Sequence, residues 1–197
     1  MNTTYRRVIE LLRTYRKFMV SRQRAAHIQR MEEDAKNFSK IHSLNVDKLL
    51  LSVCAHDLFR DVDPRILLKI ATLWNLFITK EEEHFPILLH GKVAAEFLKR
   101  RFEIKDMEIL EAVAYHTSGI PTNSKIVKAL VILDTIEHGR EFPGVNELRK
   151  IAKKSLEKGY EAIVKNKIKY ALDNDLIILS ESVKTWNYLK GVEDEVS

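Results

Sequence analysis

The chain has 197 residues, 45% of them hydrophobic, with 33 basic and 28 acidic side chains and a formal net charge of +5. That length and apolar content suffice for a single domain with a sizeable core, while six glycines and four prolines are too few for a β-rich protein, so the expected class is all-α. No apolar run reaches 18 residues and no charged-then-apolar leader opens the chain, which predicts no membrane span, no signal peptide and a cytoplasmic location.

The lone cysteine, Cys54, cannot form an internal disulfide and reads as a small buried hydrophobe. Residues 1–30 carry eight basic side chains (Arg6, Arg7, Arg13, Arg16, Lys17, Arg22, Arg24 and Arg30) against Glu10 alone. Such a stretch can bind nucleic acid or attract an anionic substrate. Without aromatic interleaving it reads more simply as a solvated helix face, so nucleic acid is not the expected partner.

Thr4 to about Phe18 has apolar residues at helical spacing (Val8, Leu11, Leu12, Tyr15, Phe18). Ser21 can cap a second helix running to about His42, with Ala25, Ile28, Met31, Ala35 and Phe38 inward and His27 beside that stripe. Asn45 or Asp47 begins a third, greasy helix (Leu49, Leu50, Leu51, Val53, Cys54) that closes on His56-Asp57. Asp63-Pro64 starts a fourth through proline at an early helical position. Thr79 to Phe85, with Glu81, Glu82 and Glu83, reads as a polar loop with solvated glutamates. Pro86 to Arg101 is helical again, interrupted by His90-Gly91. A glycine there costs about 1 kcal/mol against alanine, which implies close approach by a ligand or another backbone.

Asp106 caps a helix from Met107 to His116, which stops at Thr117-Ser118-Gly119-Ile120-Pro121. The next, about Ser124 to His138, is apolar except for Asp134, either a buried hydrogen-bonded acid or a ligand. Beyond the Gly139–Gly144 loop one long amphipathic helix is expected from Asn146 to about Leu172, then a last helix from Ser182 to Leu189. Trp74, Trp186 and the phenylalanines read as core rather than as a base-stacking platform. No internal repeat appears, and the only biased tract is the acidic end. The whole reads as one domain over 1–197, its core about 21–140, with helical extensions 1–20 and 146–190.

Burying an ionised carboxylate without a partner costs several kcal/mol, so the polar groups at the apolar stripes and helix ends require an explanation. His27, His56, Asp57, His90, His116 and Asp134 come from five different expected helices. Brought to one point they form a nitrogen and oxygen cage without thiolate, suited to Fe, Mn, Co or Zn. Four histidines and two aspartates exceed what one tetrahedral ion needs and suit two ions about 3.5–4 Å apart, with one carboxylate between them.

The ordered set His27, His56-Asp57 followed by Arg60, Leu89-His90-Gly91, Tyr115-His116-Thr117-x-Gly119, and Asp134-x-Ile136-Glu137-x-Gly139-Arg140 resembles the HD-domain metal-dependent phosphohydrolases. It is most similar to their YqeK-type branch, the symmetrical diadenosine tetraphosphate hydrolases. Phe142-Pro143-Gly144-Val145, Leu148-Arg149 and Asn187-Tyr188-Leu189 extend the likeness from about residue 5 to 190. The departures are Ala55 before the doublet, Leu133-Asp134-Thr135, His138, Lys92 and Ile120-Pro121-Thr122-Asn123, none of which removes a ligand.

The resemblance implies an HD-type helical bundle with the long C-terminal amphipathic helix. It implies that His27, His56, Asp57 and Asp134 hold one ion while Asp57, His90 and His116 hold the other, most often iron. The implied reaction is hydrolysis of diadenosine tetraphosphate, or a related dinucleoside polyphosphate, to two nucleoside diphosphates such as ADP by a metal-bridging hydroxide. Arg60 and Arg140 are the expected phosphate contacts, although salt bridges would explain them too. Thr117, Ser118 and Gly119 could donate hydrogen bonds to phosphate or serve only the turn. Asp61 could orient a water or pair with Arg60. The alternatives are an HD nucleotidase or dNTP phosphohydrolase on the same metal centre, and a non-catalytic metal-containing domain that binds nucleic acid. A homodimer is left open.

Overall fold

In the computed structural model residues 3–192 are described, and the acidic end noted above lies outside the described residues. Helix α1 (Thr3–Met19) leads into α2 (Arg22–His42), α3 (Val46–Ala55) and α4 (Pro64–Leu73). A short α5 (Lys80–His84) and a 3-10 turn (Pro86–Leu89) precede α6 (His90–Phe102), α7 (Met107–Tyr115) and α8 (Lys125–Ile136). The chain then forms α9 (Val145–Lys154), α10 (Leu156–Asp173) and α11 (Ser180–Leu189). Among the described residues there is no strand, so the molecule is all-α.

Side-chain caps account for most of the helix starts. Ser21, Asn45, Asp63, Asp106 and Ser124 each accept from a backbone N–H of the first turn, a contact worth about 1 kcal/mol. Beyond its first turn helix α3 is buried on every face, Leu49 through Ala55 without exception. Such a helix can only sit inside. Accordingly α1, α2, α6, α7 and α8 all pack on it, and α10 covers the far side of α8.

Gly91 shows what the close approach is: a Cβ there would lie 2.8 Å from both Ala114 O and Val113 O. The partner is the backbone at the end of α7, so the first turn of α6 is pressed against it. This contact brings His90 and His116, one on each helix, into reach of each other.

Three expectations are corrected. The segment Thr79 to Phe85 is not a loop: Thr79 and Glu82 form a reciprocal capping box that starts α5. Glu82 is buried rather than solvated, because Lys92 Nζ donates to it at 2.7 Å. The long C-terminal helix is two helices, since Ser155 is extended (φ −152°, ψ 124°) and its hydroxyl accepts from Lys158 N at 3.2 Å. Gly159 permits the sharp reversal, as a Cβ there would meet Ala152 Cα at 2.8 Å.

The basic N-terminal stretch is also less solvated than its charge suggests. Arg13 and Arg16 both bond the buried Glu32, while Arg24 and Arg30 turn inward to Asp57 and Glu137. The phenylalanines divide: Phe38 and Phe59 are buried, whereas Phe18 and Phe77 are exposed.

Candidate metal centre

Helix ends build the site. His56 follows the last residue of α3, His90 opens α6 after the 3-10 turn, and His116 follows the last residue of α7. A helix end leaves carbonyls without an intrahelical partner. In all three places the imidazole Nδ1 bonds the carbonyl three residues back: His56 to Val53 O (2.8 Å), His90 to Ile87 O (2.6 Å) and His116 to Val113 O (2.9 Å). A carbonyl can only accept, so Nδ1 carries the proton and Nε2 presents its lone pair. His27, on α2, is held differently, with Nδ1 3.2 Å from Glu137 Oε1. Glu137 is in turn gripped by Arg30 and by the N–H of Gly139.

The freed Nε2 atoms converge on two carboxylates. Asp57 Oδ1 lies 3.3 Å from His90 Nε2 and 3.5 Å from His116 Nε2, while its Oδ2 lies 3.6 Å from His56 Nε2. Asp134 Oδ1 lies 3.2 Å from His27 Nε2 and 4.0 Å from His56 Nε2. Asp57 thus addresses His90 and His116 with one oxygen and His56 with the other. The structure brings together all six residues proposed from the sequence as ligands. Ligand atoms of His27, His56 and Asp134, and likewise of His56, Asp57 and His116, fall within 4.8 Å of one another.

Those residues fit a divalent metal on the structure's own terms. The buried Nε2 atoms of His27 and His56 have no hydrogen-bond partner, which is costly for an acceptor removed from water. The Nε2 atoms of His90 and His116 stand 3.0 Å apart, lone pair toward lone pair. Bound metal would satisfy all four. Burial lowers the His56 pKa to about 4 and lowers that of His90 as well, favouring the neutral, ligating form. Burial alone would raise Asp57 and Asp134. For Asp57 it is outweighed by His56, His116 and His90, and for Asp134 by His27 and Lys167, so both stay well below the usual carboxylate range.

A model of the HD domain matches residues 24–138, a span that contains all six of these residues. The chain belongs to the HD domain family. It is 27% identical over 193 residues to a symmetrical bis(5'-nucleosyl)-tetraphosphatase of Staphylococcus aureus, covering 95% of this chain and 97% of that protein. To a protein of the same description from Halalkalibacterium halodurans it is 29% identical, over 86% of this chain and 90% of the other. To the Bacillus subtilis one it is 34% identical over 107 residues, 54% of this chain and 58% of that protein. A crystal structure described as a predicted HD superfamily hydrolase involved in NAD metabolism, from Clostridium acetobutylicum, superposes with a TM-score of 0.87 at 27% identity, over 93% of this chain and 97% of that one.

Around this HD doublet the remaining expected residues separate. Arg140 reaches the site from the turn after α8, with Nη2 3.3 Å from Asp134 Oδ1 and Nε donating to Asp134 O at 3.1 Å. Thr117 Oγ1 lies 3.3 Å from His116 Nε2. Ser118 is turned away, its hydroxyl donating to Gly119 O, while Gly119 adopts a positive φ of 75° against the Tyr160 hydroxyl. Arg60 is half-buried and its side chain makes no hydrogen bond or ion pair among the described residues. Asp61 does not pair with Arg60. Its Oδ2 accepts from Ser21 N at 2.7 Å and its Oδ1 lies 4.0 Å from Arg24 Nε, so it fastens the start of α2.

Two cations that were not expected reach the acids. Arg24 Nη1 donates to Asp57 Oδ2 at 2.6 Å. Lys167, on α10, donates to His116 O (3.2 Å) and Thr117 O (3.0 Å) with Nζ 3.8 Å from Asp134 Oδ2. Burial lowers its pKa. Arg24 lies three residues before His27 on one helix, a spacing that shares a face and could have revealed it. Lys167 has no such local signal.

Proposed function

We propose that this protein hydrolyses dinucleoside polyphosphates, diadenosine tetraphosphate foremost, symmetrically to two nucleoside diphosphates. His27, His56, Asp57 and Asp134 would hold one divalent ion, and Asp57, His90 and His116 a second. Imidazole and carboxylate donors without thiolate suit Fe, Mn, Co or Zn, and iron is the proposed metal because the family resemblance implies it. The observation that carries the reading is the Asp57 carboxylate, whose two oxygens address separate imidazole sets. The described activity of the relatives supplies the substrate class. A cytoplasmic location belongs to the same proposal.

Bound ions would supply Lewis acidity and lower the pKa of a coordinated water from 15.7 toward about 7. The chain's own residues do the rest. A water oxygen adds to one of the two central phosphorus atoms, and the P–O bond to the bridging oxygen breaks. That oxygen departs with the other nucleoside diphosphate. Negative charge gathers on the phosphoryl oxygens during this exchange. Arg60, without a partner among the described residues, and Arg140, partly exposed beside Asp134, are the proposed groups that meet it. The Thr117 hydroxyl, beside His116, is the third proposed phosphate contact. Arg24 holds Asp57 in place.

Metal analysis of anaerobically purified protein, followed by chromatography of its nucleotide products, tests the proposal. ADP should be the main product from diadenosine tetraphosphate. ATP and AMP in equal amounts would contradict symmetrical cleavage, and faster phosphate release from monophosphates would favour a nucleotidase.

A further inference from the structure

Phe77 is 80% exposed and Met107 59% exposed, and both line a pocket of about 370 Å³ between α6 and α7. Exposed apolar side chains that line one concavity together mark a binding surface more readily than ones scattered singly. Ala95, Leu110 and Ala114 add apolar lining. A second, smaller cleft of about 140 Å³ shares Phe77, Lys92, Ala114 and Tyr115 with this pocket and extends to Thr117 and Ser118. Thr117 in turn touches His116 Nε2. The two clefts are therefore neighbours, and the smaller one reaches the residue beside the proposed metal centre.

We infer that this pocket holds the purine of the far nucleoside of a dinucleoside polyphosphate, the half that departs on hydrolysis. The inference rests on the reading given under Proposed function and deepens it. The volume falls at the lower end of small-molecule sites, as one nucleoside rather than a whole dinucleotide requires. Phe77 offers an open aromatic face, on which a base of any sequence can stack. Lys92 fixes that ring: its Nζ donates to Phe77 O at 3.0 Å and to Glu82 at 2.7 Å, and sits 5.6 Å from the ring centroid. Lys105, before the start of α7 and so at the end away from His116, lines the same pocket without a partner among the described residues. Polar edges of a base meet Glu111 at the wall.

The test uses Phe77→Ala and Met107→Ala, both at exposed positions where folding is not at stake, with Phe77→Trp as the conservative rescue. The KM for diadenosine tetraphosphate should rise about tenfold in Phe77→Ala, with kcat within twofold of the parent, and return toward the parent in Phe77→Trp. The preference for diadenosine tetraphosphate over adenosine 5'-tetraphosphate, which lacks the second nucleoside, should fall by the same factor. An unchanged preference overturns the assignment, as does a loss shared equally by both substrates. Calorimetric binding of a non-hydrolysable dinucleotide analogue separates this inference from the activity on which it rests. Weaker binding to Phe77→Ala with no ADP formed by the parent would leave the subsite standing and remove the proposed reaction. ADP formation with binding untouched by Phe77→Ala would do the reverse.

Discussion

The Nε2 atoms of His90 and His116 stand 3.0 Å apart while both Nδ1 atoms bond main-chain carbonyls. With each ring's proton committed on the far side, two lone pairs face each other in a buried setting. The arrangement is unfavourable by itself and becomes favourable once a cation lies beside both.

Metal removal should therefore destabilise the protein. A chelator is expected to lower the melting temperature by about 5–10 °C, the shift for a ligand present at roughly a hundred times its Kd on a chain of this size. Iron(II) or manganese(II) added back should restore it. Identical melting curves with and without chelator would remove the metal centre from consideration.

The two halves of the centre should be separable by mutation. His27→Ala and His90→Ala are each expected to reduce bound metal from about two ions per chain to about one. Asp57→Asn, which touches both imidazole sets, should deplete both ions and cut activity by roughly 10³-fold or more. Elemental analysis beside rate measurements checks this, and loss of both ions in His90→Ala would argue against a divided site.

Lys167 ties the turn after α7 to Asp134, so its loss should be felt in metal affinity. Lys167→Met leaves two carbonyls, His116 O and Thr117 O, without their donor and frees Asp134. Outer partners of ligands typically carry 10–100-fold in metal affinity, the drop expected here in a competitive metal titration with helix content unchanged. Lys167→Arg should recover part of it.

Glu137 predicts an acid-dependent loss of stability. Burial pushes its carboxyl up, but Arg30, the Gly139 N–H and His27 outweigh this and leave it at about 2, against about 4.3 in an unfolded chain. A depressed carboxylate stabilises the fold above the unfolded value and ceases to do so as pH falls from about 4.3 toward 2. The contribution is on the order of 3 kcal/mol. Urea unfolding of metal-free protein between pH 6 and 3 should give a steeper decline for the parent than for Glu137→Gln. Parallel declines would contradict it.

Gly91→Ala should destabilise through overpacking, by about 1–3 kcal/mol, because the new methyl would meet backbone oxygens rather than a flexible side chain. By parting α6 from α7 it should also weaken metal binding. An unchanged melting temperature in the alanine variant would show that the two backbones have room to separate.

Much of this was legible in the sequence where local chemistry decides. Ser21 and Asp106 cap the helices they appeared to cap, and Asn45, Asp63 and Ser124 cap helices whose starts were expected there, because a short oxygen-bearing side chain before an apolar periodic run has few other uses. The six donors stood out because polar groups in greasy surroundings are expensive. The misreadings lie where tertiary partners decide. Glu82 looked solvated until Lys92, ten residues away, neutralised it. Ser155 interrupts an amphipathic pattern that runs on unbroken either side, so only its cap marked the break. Lys167 is one of several lysines on α10, and nothing in its neighbourhood distinguishes the one that points at Asp134.

The grip on His56, His90 and His116 comes from the carbonyls of Val53, Ile87 and Val113, which every amino acid possesses. Substitutions at those three positions leave the anchoring atoms untouched as long as the helix still terminates there. An architecture whose reactive centre is aimed by peptide groups can tolerate wide drift in its surrounding side chains, which agrees with a superposition as close as 0.87 between chains that share little more than a quarter of their residues.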